Sequence, residues 1–150
     1  MNVINELVNI DNNYVLWWVG IGTLKSRVEE LIKIYGLEEN IFLLGNREDI
    51  PNLLSNIDYM FFPSKWEGLG IVLIEAQAAG VPCFISDTIP KEADLGLCTI
   101  LKLEQSAEKW AELIDKYINN KTFKKNIDNK KLNEFDIKYT VNQLKAIYMK

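Results

Sequence analysis

Short apolar runs alternate with helix-like segments along most of this chain, and this alternation limits the possible fold more than any other feature of the sequence. A short, continuous apolar run is typical of a strand buried on both faces of a parallel sheet. Runs of this kind occur at Tyr14–Val19, Ile41–Leu44, Tyr59–Phe62, Cys83–Ile85 and Thr99–Leu101. Repeated strand–helix order with short connections requires right-handed crossovers, so we predict an α/β fold with a doubly wound parallel sheet.

Apolar residues at helical spacing predict the intervening helices, and several boundary residues support them. The predicted helices are Val3–Val8, Leu24–Tyr35, Ile50–Ile57, a helix starting near Ile71, Trp110–Tyr117 and an amphipathic end at Leu144–Tyr148. Thr23 and Ser106 are placed to cap helix starts, and Gly36 stands where a left-handed residue commonly ends a helix. The Asn- and Lys-rich stretch Asn119–Lys131 is predicted to be a solvated segment.

Composition excludes several classes of protein. The 150 residues, 48% of them hydrophobic, can bury one ordinary core, so we predict a single domain. The net charge is −4, and no basic stretch is rich in aromatic residues, so nucleic acid is a poor candidate partner. Free nucleotides are still possible ligands. No apolar stretch approaches the roughly 20 residues of a membrane span, and the first residues lack a signal-peptide pattern.

The histidine and cysteine content further limits the chemistry. The chain has no histidine, so neither catalysis nor metal binding can depend on one of its own. Cys83 and Cys98 lie in apolar runs outside any metal-binding spacing, so we predict buried thiols in a reducing compartment. A cytoplasmic protein is the simplest interpretation.

The stretch Pro63–Pro82 gives the strongest indication of a ligand site. Gly68 and Gly70 allow a tight turn and a close approach to a ligand before the helix that starts near Ile71. A helix start presents N–H groups without intrahelical partners to a phosphate. This loop follows a predicted parallel strand, and ligands of such sheets bind beyond the carboxyl ends of the strands.

Two carboxylates accompany this turn. Glu67 lies in the loop, and Glu75 lies one to two helical turns behind it. Taken singly, such glutamates are more often solvated acids than ligands. The ordered combination of Pro-Ser, paired glycines, two carboxylates and an Ala-rich helix ending at Gly80 favours a functional site.

These residues together resemble the donor-binding signature of retaining GT-B glycosyltransferases of family 4, and the resemblance runs from about Asn13 to the C terminus. Between Glu67 and Glu92 the sequence is most similar to bacterial enzymes of capsular or exopolysaccharide assembly. The resemblance implies that Glu67 is the catalytic residue, orienting the transferred sugar, and that Glu75 accepts hydrogen bonds from the ribose diol of the nucleotide. Further donor-binding residues implied by the resemblance are Gly20, Gly22, Asn46, Arg47, Lys65, Gly68, Leu69, Gly70 and Ile71.

Gly20-Ile21-Gly22 has an alternative interpretation as part of a dinucleotide fingerprint. The third glycine of that fingerprint is missing, because Lys25 occupies its position, and no acidic residue follows at the proper strand end. A loop at the donor cleft, as the resemblance implies, fits better. For Arg47, an ordinary turn with an exposed side chain is as good an explanation as a donor contact.

The resemblance implies a function. The expected protein is the nucleotide-sugar-binding part of a transferase that moves a hexose-type sugar from a UDP-sugar or GDP-sugar to a glycan or lipid-linked acceptor in polysaccharide biosynthesis. Neither a metal nor another cofactor is expected. The expected location is the cytoplasm, with membrane contact that is at most peripheral at the inner face.

Two features of the resembling family are absent from this sequence: the N-terminal acceptor domain, and a first strand and loop whose Arg and Lys hold the diphosphate. The chain is therefore expected to be a partial C-terminal donor domain that lacks the first central strand. Its loss would leave the strands at Leu16 and Tyr59 without a shared neighbour. We expect association through this surface, with another copy or an acceptor-domain chain. The negative charge of the diphosphate would then be neutralised only by the helix start near Ile71 and by Lys65 or Lys91, so we expect weak donor affinity.

Other functions stay open. A non-catalytic nucleotide-binding subunit or inactive remnant that needs a partner chain is the main competitor. A glycoside hydrolase using Glu67 and Glu75 is less consistent, because a deeply helical Glu75 is a poor in-line partner for Glu67. A plain α/β fold without a ligand conflicts with the ordered residues from Glu67 to Gly80.

Overall fold

Strands and helices alternate through the part of the chain described by a computed structural model, which is residues 1–120 and 126–149. In chain order these elements are α1 (Asn2–Ile10), β1 (Leu16–Val19), α2 (Lys25–Tyr35), β2 (Ile41–Gly45), α3 (Ile50–Leu54), β3 (Met60–Phe62), α4 (Ile71–Ala78), β4 (Cys83–Ser86), a 3-10 turn (Lys91–Ala93), β5 (Cys98–Leu101), α5 (Ala107–Asn120), α6 (Asn129–Glu134) and α7 (Ile137–Tyr148). None of these described helices combines the length and apolar character that a membrane crossing requires.

The described residues divide into two compact units, and the first comprises residues 1–50 and 104–120. Its two strands, β1 and β2, pair in parallel with Leu16 opposite Ile41. Helix α1 packs against α5, although the two helices are far apart in the sequence. The Tyr14 hydroxyl donates a hydrogen bond of 2.8 Å to the Asp115 carboxylate, which ties the segment before β1 to α5.

Each of these two helices buries one face. Ile4 and Leu7 of α1 are three positions apart, and Trp110 and Ile114 of α5 are four apart, so each pair lies on one side of its helix. All four side chains are buried. Their apolar periodicity explains why the sequence predicted both helices.

The second unit comprises residues 51–103 and 126–149 and contains a parallel ladder in the order β3–β4–β5. The central strand β4 is buried along its whole length, as expected for an apolar strand with a neighbour on each side. Met60 lies opposite Cys83, and Cys83 lies opposite Cys98. Helix α4 contacts both β3 and β4, and it follows the loop that carries the predicted site.

The predicted parallel α/β class is confirmed, but the described residues form two separate ladders. Strand β1 pairs with β2 alone among the described residues. The prediction that Tyr14–Val19 is a buried strand is wrong in one respect. Trp17, Trp18 and Val19 are between 37% and 40% exposed, and in the described part of the chain β1 has a neighbouring strand on one edge only.

Two predicted helix boundaries differ from the structure. Thr23 does not cap α2, because the backbone turns first through a hydrogen bond from Lys25 N to Gly22 O, and Leu24 takes the N-cap position. Helix α3 ends at Leu54, before the predicted end at Ile57. The side chains of Ser55 and Asn56 bond back to backbone carbonyl groups there, at 2.8 Å in both cases, and such bonds compete with helix continuation.

The predicted solvated segment Asn119–Lys131 is partly helical. Its first two residues close α5 and its last three open α6, while residues 121–125 lie outside the described residues. Asp128 caps α6 by accepting hydrogen bonds from the N–H groups of Lys130 and Lys131. The caps predicted for Gly36, which is left-handed at φ 64°, and for Ser106, whose Oγ accepts from Lys109 N at 3.3 Å, are confirmed.

The two cysteines have different environments. Cys83 is buried as predicted, whereas Cys98 is only partly buried, because β5 lies at the edge of its ladder. Hydrogen bonding to Cys83, followed by burial, raises the pKa of the Cys98 thiol. A thiol with a raised pKa carries little thiolate at neutral pH and is a weak nucleophile.

Candidate functional site

The loop between β3 and α4 holds the predicted catalytic residue in the second unit. Glu67 is exposed, and its carboxylate accepts a hydrogen bond of 3.1 Å from Gly68 N. Ser64 Oγ donates to Trp66 O at 2.9 Å, which closes a small turn immediately before Glu67. Trp66 is 90% exposed, so this turn presents an aromatic ring to solvent beside the carboxylate.

Gly70 brings this loop back onto its helix. Its φ of 71° lies in the left-handed region, where a side chain costs about 1–2 kcal/mol. A Cβ at Gly70 would lie 3.2 Å from Leu73 Cδ1 and 3.4 Å from Glu67 Cγ. The backbone angle and the close approach of the Leu73 side chain therefore both favour glycine at this position.

Helix α4 begins directly after this turn, with Gly70 as its N-cap residue and no side chain capping its first turn. The first N–H groups of a helix have no partners within the helix, and the helix dipole places partial positive charge there. Ile71 at this end is exposed, and Leu69 before it is half-buried. The start of α4 can therefore accept an anion such as a phosphate.

The two faces of α4 have separate roles. Leu73 and Gln77 are four positions apart and are both fully buried, whereas Glu75 lies between them on the opposite face and is exposed. The position of Glu75 is therefore set by the inward packing of its neighbours. Its carboxylate is an acceptor with two oxygens, as recognition of a vicinal diol requires.

The predicted binding loops of the first unit lie side by side. Gly20 N donates to Gly45 O at 2.7 Å, which joins the loop after β1 to the loop after β2. Gly20 has φ 127° and Gly45 has φ 66°, so both turns use backbone angles that favour glycine. A Cβ at Gly22 would have no neighbouring atom within 4 Å, and Asn46 follows Gly45 directly.

The side chain of Arg47 has a partner of its own. Its Nε and Nη2 donate to the two carboxylate oxygens of Asp49, at 2.7 Å each. This hydrogen bonding holds the pKa of the Asp49 carboxyl below its usual value, so the stabilisation from the pair is present at neutral pH and is lost as the pH falls through that lowered pKa. The geometry thus favours the ordinary turn for Arg47.

The structure brings the predicted residues together within each unit. Gly20, Gly22, Asn46 and Arg47 belong to the first unit, and Lys65, Glu67, Gly68, Leu69, Gly70, Ile71 and Glu75 belong to the second. Lys65 and Lys91 are both exposed. Among residues 1–120 and 126–149, no cluster of three or more Cys, Asp or Glu side chains is arranged to hold a metal ion.

Sequence reasoning missed three polar residues that support the second-unit loops. Gln77 is buried in α4, and its side chain reaches the segment after the 3-10 turn. The hydroxyls of Ser86 and Thr88 contact the Ser64 carbonyl at the start of the site loop. Two of them could have been found in the sequence as polar residues within or next to apolar segments: Gln77 in α4, and Ser86 after Cys83–Ile85.

Comparison with known proteins agrees with this fold. A family model described as glycosyl transferases group 1 matches residues 2–134. The putative glycosyltransferase EpsF of Bacillus subtilis is 42% identical over 97 residues, covering 63% of this chain and 25% of that protein. The Escherichia coli UDP-Gal:alpha-D-GlcNAc-diphosphoundecaprenol alpha-1,3-galactosyltransferase is 32% identical over 119 residues, covering 75% of this chain and 30% of that protein.

A solved structure extends the likeness over nearly the whole chain. Anabaena HepE, in complex with UDP and glucose, matches with a TM-score of 0.79 at 24% identity, covering 99% of this chain and 43% of that one. At this identity the match shows the fold alone, and it supports the predicted fold class. The chain spans only 25% and 30% of the lengths of the two curated relatives.

Proposed function

The chain belongs to the glycosyl transferases of group 1, and from this premise we propose that it is the nucleotide-sugar-binding part of a retaining family 4 hexosyltransferase of polysaccharide biosynthesis. One observation carries the proposal: Glu67 and the uncapped start of α4 are joined by the left-handed turn at Gly70. The Glu67 carboxylate is suited to the sugar of a nucleotide-sugar donor, and the nearby start of α4 is suited to its diphosphate. The proposal treats residues 1–150 as a partial C-terminal domain.

Three parts of the donor have a proposed contact in the second unit. The diphosphate binds the N–H groups at the start of α4, and Lys65 or Lys91 adds positive charge. Glu75 accepts hydrogen bonds from the ribose diol, and Glu67 orients the sugar.

In the proposed reaction the bond between the sugar C1 and the diphosphate oxygen breaks, and an acceptor hydroxyl oxygen bonds to C1 on the same face. The hydroxyl proton passes to the leaving diphosphate. Charge that develops on the diphosphate is stabilised by the start of α4, without a metal ion. Glu67 orients the sugar but forms no covalent bond to it.

What is known of two similar proteins supports the choice of substrate. The E. coli relative is named for UDP-galactose and a diphosphoundecaprenol acceptor, and the structure of HepE contains UDP. We therefore propose a UDP-sugar as donor and a glycan or lipid-linked acceptor, with capsule or exopolysaccharide as the product class. We further propose action in the cytoplasm, with membrane contact that is at most peripheral.

Titration of the chain with UDP, followed by amide NMR shifts, tests this proposal. We expect saturable shifts at Gly70 and Ile71, because the start of α4 is the proposed contact of the diphosphate. Uridine serves as the matched ligand without phosphate, and it should shift Gly70 much less than UDP does. Unchanged amide shifts at several millimolar UDP would overturn the proposal.

A second candidate is a donor-binding subunit that works only with a partner chain, and the exposed edge of β1 favours it. Trp17 and Val19 are partly exposed there, and β1 pairs with β2 alone among the described residues. An unpaired strand edge with apolar side chains is prone to pair with another chain. We propose either a second copy or an acceptor-domain chain as this partner.

Sedimentation velocity tests association of the purified chain. We expect a concentration-dependent dimer that Trp17→Lys weakens by about tenfold or more, because a charged side chain at a strand edge opposes pairing. Ile34→Lys is the matched control, since Ile34 is also exposed but lies on α2. A stable monomer that binds no apolar dye would count against association through this edge.

A further inference from the structure

Two hydroxyl groups hold the start of the loop that carries Glu67. Ser86 Oγ and Thr88 Oγ1 both contact the carbonyl oxygen of Ser64, the latter at 2.6 Å. The two hydroxyls also lie 2.9 Å from each other. We name these three residues, Ser64, Ser86 and Thr88, the hydroxyl clamp.

Proton counting limits how the clamp is bonded. Each hydroxyl has one proton, so only two of the three contacts can be hydrogen bonds at one time. Either both hydroxyls donate to the Ser64 carbonyl, or one donates to the other, which donates to the carbonyl. In every arrangement the carbonyl of Ser64 accepts at least one hydrogen bond from the clamp.

The clamp is anchored in the core of the second unit. Ser86 is fully buried at the end of β4, opposite Leu101 of β5. The next residue, Asp87, donates its N–H to Leu101 O at 2.9 Å and accepts from Leu103 N through Oδ1, also at 2.9 Å. The segment from Ser86 to Thr88 is therefore fixed to β5 on the side away from the loop.

The clamp restrains the backbone before Glu67 through the carbonyl groups of Ser64 and Trp66. The Ser64 carbonyl is held by the clamp, and Ser64 Oγ in turn holds the carbonyl of Trp66. That carbonyl belongs to the peptide bond that joins Trp66 to Glu67. The backbone immediately before Glu67 is thus ordered before any ligand arrives.

We propose that Ser86 and Thr88 are positioning residues that preorganise Glu67 to receive the sugar of a nucleotide-sugar donor. This inference rests on the proposed function. Neither hydroxyl needs to touch the donor, because each acts through the backbone of Ser64. Preorganisation improves affinity by removing the cost of ordering the loop on binding. Since Glu67 serves the sugar, the clamp should favour UDP-glucose over UDP alone.

Thr88 offers a clean test because its side chain is exposed and its replacement does not disturb the core. Thr88→Val removes the hydroxyl at nearly constant shape, and Thr88→Ser keeps it. Ser86→Ala combined with Thr88→Val removes both donors. Ser55→Ala is the matched control, because Ser55 Oγ also donates to a backbone carbonyl of the second unit, that of Pro51 at 2.8 Å.

The first measurement uses ligand-free protein. Backbone order parameters from 15N relaxation at Trp66, Glu67 and Gly68 should fall from near the rigid value of about 0.85 toward about 0.6 in Thr88→Val, and further in the double variant. Thr88→Ser and Ser55→Ala should keep the wild-type values. Unchanged order parameters in the double variant would overturn the inference, whether or not UDP binds.

The second measurement compares two probes, UDP and UDP-glucose, by calorimetry. Thr88→Val should weaken UDP-glucose by about threefold to tenfold and UDP by less than about twofold, and Thr88→Ser should restore wild-type affinity. Equal weakening of both probes would overturn the inference and leave the proposed function standing. Failure of the wild type to bind either probe would overturn the proposed function and, with it, this role for the clamp.

Discussion

Replacing Gln77 with leucine is expected to lower the free energy of unfolding by roughly 3–5 kcal/mol. Gln77 is fully buried, and its side chain makes four hydrogen bonds with backbone groups. Its Nε2 donates to Leu73 O at 3.0 Å and to Ala93 O at 2.7 Å, and its Oε1 accepts from Leu95 N at 2.8 Å and from Leu97 N at 3.3 Å. One side chain thus connects α4 to the segment that leads into β5.

The expected loss comes from the partners that leucine would leave behind. Leucine has nearly the volume of glutamine, so little cavity forms. Leu95 N, Leu97 N and Ala93 O would lose their side-chain partner in a buried environment. A buried group without a partner costs about 1–3 kcal/mol, and three of them at the lower end of that range, about 1–1.7 kcal/mol each, give the stated total.

Urea unfolding followed by circular dichroism measures this effect. Gln143→Leu is the matched control, because Gln143 is exposed on α7 and the same exchange there should change stability by less than about 0.5 kcal/mol. A loss below about 1 kcal/mol for Gln77→Leu would mean that the segment from Ala93 to Leu97 repacks without its anchor.

Glu75→Gln is expected to weaken UDP binding by about tenfold to a hundredfold. The substitution replaces one acceptor oxygen by an NH2 donor and removes the charge, so the two hydroxyls of the ribose diol lose one of their acceptors. A hydrogen bond to a charged group contributes about 1.5–3 kcal/mol, which corresponds to the stated range of affinity. Because Glu75 is exposed on the outer face of α4, the fold should be unchanged.

Calorimetric titration with UDP, on variants shown by circular dichroism to be folded, measures this change. Glu134→Gln is the control, since Glu134 is exposed on α6 in the same unit. Affinity for UDP within twofold of the wild type would remove Glu75 from the proposed site. A loss that occurs equally in the control would instead indicate a general effect of charge.

The sequence was most informative where local backbone chemistry decides the structure. The turn at Gly70 and the end of α2 at Gly36 both need a left-handed residue, and glycine is the residue that adopts that conformation at low cost. Both features were predicted correctly, and the predicted roles of Glu67 and Glu75 at the first of them stay predictions.

The sequence was least informative where distant segments meet. The hydroxyl clamp exists because parallel pairing sets Met60 opposite Cys83, which brings the ends of β3 and β4 side by side. Gln77 finds its partners in a segment whose path is set by the 3-10 turn and β5. Neither register nor path can be read from residue spacing, so these contacts were not predicted.

The packing of α1 against α5 also determines when the first unit can fold. Tyr14 and Asp115, which join this unit by a hydrogen bond, are separated by 101 positions in the chain. During synthesis, α1 emerges on the order of ten seconds before α5, at typical translation rates. The strands β3 to β5 are complete by Leu101 and can pair first. Ile4 and Leu7 therefore stay without their partner helix while the residues between α1 and α5 are made, which leaves their apolar side chains accessible to chaperones during that interval.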